Sequence, residues 1–134
     1  MRGKSWRQVG LAMALASAAA VGTGCAAAAA AGAAGAVYAT TRGVGSLVAQ
    51  PIDQVAATSE SVMKNMNIVQ TGSSTDDGGA KREVKGTHGD LDVTVQMDRQ
   101  DSATTKVEVY ARKNLAEWDK DFARSVLEKI VKAS

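Results

Sequence analysis

Ile52, Val55, Ser59, Val62 and Met66 recur at three- and four-residue steps, and Ala56 and Met63 widen the same stripe. That spacing keeps one side of an α-helix continuous, so the segment after Pro51 predicts an amphipathic helix. Pro51 suits its first turn, where no backbone donor is needed. Glu60 and Lys64, four apart, fall on the solvent side.

Beyond this helix the period shortens to two. Leu91, Val93, Val95 and Met97 alternate with Asp92, Thr94 and Gln96. Thr105, Val107, Val109 and Ala111 alternate with Lys106, Glu108, Tyr110 and Arg112. The two runs predict an antiparallel pair with one wet face. Shorter strands are expected at 46–50 and 67–72, the latter around Ile68 and Val69. The charged segment from Ala80 to Thr87 predicts an edge strand. Asp76-Asp77-Gly78-Gly79 and His88-Gly89-Asp90 punctuate these strands as turns.

A closing helix is expected from Asn114, with Glu117 three residues on as its capping-box partner. Its stripe is Leu115, Trp118, Phe122, Val126 and Ile130, supported by Leu127 and Val131. Trp118 and Phe122 are expected to fill much of the core. Strand, helix, four strands, helix predicts an α+β domain at 46–134, a small antiparallel sheet with two helices on one face.

The first 45 residues read differently. Arg2, Lys4 and Arg7 precede an uncharged apolar stretch from Val9 to Val21, and small residues then lead to Cys25. Positive start, short apolar run and small-residue cleavage site make a secretory signal, expected at 1–24 with cleavage between Gly24 and Cys25. Cys25 is the only cysteine, so no intrachain disulfide can form, and its place at the end of the leader points to lipid attachment. A thiolate is a strong nucleophile for thioether formation. A single acyl chain holds only marginally, at about 0.8 kcal/mol per buried methylene, so durable anchoring takes two or more.

The rival reading is an uncleaved membrane span, since no charge appears between Arg7 and Arg42. The strongly apolar residues end near Val21, however. Both readings place Arg42 onward outside the cytoplasm. Ala26 to Ala36, "AAAAAAGAAGA", then reads as a tether within 25–45. The other reading is an alanine helix packed on the domain, which Gly32 and Gly35 each weaken by about 1 kcal/mol.

Charge changes the picture once the leader is set aside. The whole chain is +2, but three of its 16 basic residues lie before Cys25, leaving 13 against 14 acidic ones. A near-neutral chain lacks the cationic surface that nucleic acid requires.

The segment from Leu15 to Cys25 resembles a bacterial lipoprotein processing site, with Gly24 directly before the cysteine and Gly22 where a larger aliphatic residue is usual. The full pattern resembles a family of small bacterial lipoproteins catalogued as domain of unknown function 3568. The matching residues are Gly24-Cys25, Ala26 to Ala36, Val37-Tyr38, Gly43, Pro51-Ile52-Asp53-Gln54-Val55, the strands from Lys81 to Arg112, and "SVLEKIVKA" near the end. The resemblance implies palmitate-type acylation of Cys25 and a domain held in the cell envelope facing the periplasm. It implies no reaction. Ala26, where an aspartate would favour inner-membrane retention, points by analogy to the outer membrane.

Chemistry is sparse. His88, the only histidine, has Asp90 nearby but no second histidine or free cysteine to complete a transition-metal site. Asp76, Asp77, Asp98 and Asp101 do not follow the alternation of a calcium loop, and no phosphate-cradling glycine loop is present. Ser59, Ser61 and Ser125 lie on helices without a base. Lys81, Arg82 and Lys85 read as a small basic patch on a soluble edge. No catalytic, metal or cofactor site is predicted, and the chain does not read as an enzyme. Two functions remain. One is an interaction module docking on an envelope protein or the cell wall, with the strand from Ala80 to Thr87 open to edge addition. The other is a carrier for an apolar or lipid-like ligand, in a cavity lined by Met63, Met66 and Met97.

Overall fold

The structure, a computed structural model, describes residues 36–134. The expected signal segment, Gly24, Cys25 and the expected tether up to residue 35 lie outside the described residues. The elements run β1 (Tyr38–Ala39), β2 (Val44–Val48), α1 (Ile52–Asn65), β3 (Val69–Asp76), β4 (Lys81–His88), β5 (Leu91–Asp101), β6 (Thr104–Arg112) and α2 (Lys120–Ala133). All strand pairings are antiparallel, in a six-stranded open sheet of order β1-β2-β6-β5-β4-β3. This is the expected α+β arrangement. Among the described residues no helix is long and apolar enough to cross a membrane.

The alternation of β5 and β6 decides the layers. Val93 faces Ala111, Val95 faces Val109 and Met97 faces Val107 across the ladder, and all six side chains are buried. Pairs of this kind are the unit of sheet stabilisation. Val44 and Val48 from β2 and Val84 from β4 extend the same apolar face. Both helices cover it. Ile52, Val55, Ala56, Val62 and Met63 come down from α1, and Ala123, Val126, Leu127 and Ile130 from α2.

The chain leaves β2 on one side of the sheet, crosses the core face as α1, and returns by the β3–β6 meander until β6 pairs with β2. The turn out of α1 is a Schellman motif. Asn67 takes φ +58°, its N–H bonds Lys64 O at 3.2 Å, and Ile68 N–H bonds Met63 O at 2.8 Å. Ile68 is thereby folded back into the core beside Met63. A Cβ on Gly86 would lie 2.7 Å from both of these side chains, so only glycine lets this corner sit against β4.

Buried hydroxyls donate to backbone carbonyls. Ser59 Oγ donates to Val55 O at 2.7 Å and Thr105 Oγ1 to Gln50 O at 2.9 Å. Arg82 points to the helix side of β4 and pairs with Asp53 in the first turn of α1.

Four expectations need correction. The segment from Ala80 to Thr87 is not an edge. Strand β4 lies between β3 and β5, and the edges are β3 and β1. Lys81, Glu83 and Lys85 lie on its wet face, with Val84 and Gly86 buried on the other. The closing helix starts late, at Lys120, with Asp119 as the cap accepting from Phe122 N–H at 2.9 Å. Asn114 and Glu117 instead close a separate turn, in which Lys113 N–H bonds Glu117 O at 2.9 Å and Ala116 N–H bonds Asn114 Oδ1 at 2.9 Å. Leu115 consequently stands 92% exposed. Trp118 precedes the helix, in an isolated bridge to Arg112, and is not a core residue. The sheet itself begins at Tyr38, inside the segment expected to be tether.

Candidate functional site: the open face of the sheet

Among the described residues both helices lie on one side of the sheet, and no helix covers the other. Its floor follows from strand parity. Lys85, Thr94 and Tyr110 lie in one cross-strand row, and Glu83, Gln96 and Glu108 in the next. Thr94 is the shortest side chain in its row, so the surface dips there. The turn carrying Trp118 folds back beside β6 and raises a wall. A trough of about 430 Å³ results, bounded by Trp118, Tyr110 and Arg42 on one side and by Glu83 and Lys85 on the other.

The wall is aromatic. The Trp118 and Tyr110 rings meet edge to face, with centroids 6.2 Å apart and planes at 67°, a favoured geometry for aromatic pairs. The Arg42 guanidinium carbon lies 5.8 Å from the Trp118 ring centroid, within cation–π range. Arg42 comes from the β1–β2 turn, where Gly43 N–H bonds Thr40 Oγ1 at 2.9 Å.

The floor is polar and internally paired. Gln96 Nε2 donates to Glu83 Oε2 at 2.9 Å, and Lys85 sits 3.0 Å from the other oxygen of Glu83. The Gln96 bond is the largest effect on the Glu83 carboxyl and holds it below its ordinary range, against the opposing effect of burial. Arg112 pairs with Asp92 at 3.6 Å. Beside the trough Glu108 takes the Tyr110 hydroxyl and Lys106, the latter at 3.3 Å. The bond to Glu108 raises the Lys106 ammonium. Burial, then the bond to Glu108, pushes the Tyr110 phenol well above the usual phenol range.

Other residues singled out from the sequence fall elsewhere. His88 ends β4, its ring stacked on Phe122 with centroids 4.9 Å apart and Nδ1 3.3 Å from Asn67 O. It ties α2 to the α1–β3 corner, and Gly89 after it takes φ +58°. Asp77, Gly78 and Gly79 form a tight turn at positive φ, with Asp77 paired to Lys81 at 3.5 Å. No group of three or more His, Cys, Asp or Glu side chains that could hold a metal occurs among the described residues. Lys81, Arg82 and Lys85 do not form one patch, because Arg82 turns to the helix side while its neighbours face outward. Met63 and Met97 are each 1% exposed and pack in the core, and Met66 only flanks it. They fill space between helices and sheet.

Sequence reasoning identified Thr94, Gln96, Tyr110 and Arg112 as wet-face positions from alternation alone. It missed Arg42 and Trp118, which reach the trough from irregular turns. Comparison with known protein families finds no match for this chain, and no curated protein matches it.

Proposed function

We propose that the chain is a bacterial envelope lipoprotein, related to the lipoproteins of domain of unknown function 3568, that presents a non-catalytic interaction module to the periplasm. Signal cleavage after Gly24 exposes Cys25, acylation of Cys25 provides the membrane anchor, and the Ala/Gly-rich segment carries the domain clear of the surface. The single observation behind the anchor is the placement of the only thiol at the end of an apolar leader and the start of a low-complexity run. The interaction reading draws support from the wide polar sheet face. The carrier reading is the weaker one, because Met63 and Met97 are core residues rather than the walls of a chamber.

Mass spectrometry of the chain from its native membrane tests the anchor. A product beginning at Cys25 and carrying diacylglyceryl and acyl groups is expected, with Cys25→Ala leaving the membrane fraction. A bare thiol with the leader still attached overturns the proposal.

A further inference from the structure

We infer that the trough on the open face binds a short, uncharged saccharide chain, with the Trp118–Tyr110 pair as its stacking wall and Thr94 at its floor. The inference deepens the interaction-module reading by naming the chemical class of the partner. It does not depend on lipid at Cys25.

The mixed charge of the trough disfavours the other ligand classes. Cations at Arg42, Lys85 and Arg112 share the trough with carboxylates at Glu83 and Asp92. Lys85 is paired to Glu83 and Arg112 to Asp92, while Arg42 sits by the Trp118 ring. A polyanion would meet these carboxylates, and a fully charged ligand would have to break existing pairs. Anionic lipid and nucleic acid, which reward an unbalanced cationic field, do not fit. An apolar ligand would leave the Gln96 amide and the Glu83 and Asp92 carboxylates facing hydrocarbon, at the usual cost of unpaired polar groups.

An uncharged polyhydroxylated chain matches what remains. Carboxylate and amide oxygens keep free lone pairs after their in-sheet bonds, and the guanidinium of Arg112 keeps spare N–H donors. Hydroxyls both donate and accept, so they can join such a network without displacing it. The C–H face of a sugar ring needs an apolar plate beside those polar groups. The indole of Trp118 and the phenol of Tyr110 supply it. A trough of about 430 Å³ lies in the range of small-molecule clefts, and its open form suits a chain lying across strands.

The chain offers a direct reporter. It has two tryptophans, Trp6 and Trp118, so Trp6→Phe leaves Trp118 as the sole indole. This full-length variant, held in neutral detergent, is titrated with chitotetraose, with cellotetraose and with a tetra-aspartate peptide while Trp118 emission is followed. A saturable change with at least one sugar is expected, with Kd on the order of 0.1–1 mM, and none with the peptide. Thr94→Arg, which fills the floor, is expected to weaken binding about tenfold or more. Gln96→Ala, which removes a polar contact without adding bulk, weakens it severalfold. Circular dichroism melting confirms that both variants fold. No saturable response to either sugar overturns the inference, as does a response that both folded variants retain, or one confined to the acidic peptide. A bare thiol at Cys25 would sink the anchor and leave this result standing.

Discussion

The ring of Trp118 meets that of Tyr110 edge to face across 6.2 Å, on the side of the sheet away from both helices. This contact places the only tryptophan of the described residues in the wall of a surface trough. It also separates two roles that look alike in the sequence, a core aromatic and a surface one.

Trp118→Ala is accordingly expected to cost only about 1–2 kcal/mol, in line with a half-buried aromatic pair. Ile130→Ala, at a fully buried position of α2, should cost about 2–5 kcal/mol. Urea denaturation followed by circular dichroism compares the two. A larger loss for Trp118→Ala would show that its ring supports the core.

The α1–β3 corner rests on close approach. A Cβ on Gly86 would be 2.7 Å from Met63 Cε and from Ile68 Cγ2, and 2.8 Å from Val69 O. Backbone on one side cannot yield as a side chain does. Gly86→Ala should therefore destabilise by about 1–3 kcal/mol, while Gly72→Ala, which meets nothing within 4 Å, is the control. Equal melting temperatures for the two variants would refute the packing account.

Capping locates the start of α2. Asp119 accepts the Phe122 N–H, so Asp119→Ala should cost about 1 kcal/mol. Asn114→Ala touches only an exposed turn and should cost less. Thermal melts that rank them the other way would restore the earlier helix start.

The Tyr110 phenol is held above its ordinary range by burial first and by Glu108 second. A folded-state pKa raised above the unfolded value, about 10 for a free phenol, makes the neutral ring stabilising. That contribution is whole below about pH 10 and is lost as pH rises through the folded-state pKa. In a Tyr38→Phe background, ultraviolet titration should show late ionisation of Tyr110, and Glu108→Gln should bring it earlier. Ionisation at the free-phenol value in the parent would contradict the assignment.

Periodicity alone was enough to specify α1, the paired strands β5 and β6 and the inward stripe of α2 from Phe122 onward. Burial acts on each side chain in turn, and a strand or helix writes that demand into its repeat. Turn residues marked the β3–β4 and β4–β5 connections for the same local reason: positive φ at Gly78, Gly79 and Gly89 is a property of the residue itself. Three matters were settled only by tertiary structure. Alternation says which way a side chain points but not which strand lies alongside, so β4 read as an edge although β3 covers it. The Trp118 stripe was in phase with α2, yet the chain first closes a turn at Lys113–Glu117, and a local cap signal cannot reveal which of two competing hydrogen-bonded turns the fold selects. The trough needs Arg42 beside Trp118, residues far apart along the chain, and no local repeat encodes a contact that exists only after β2 has paired with β6.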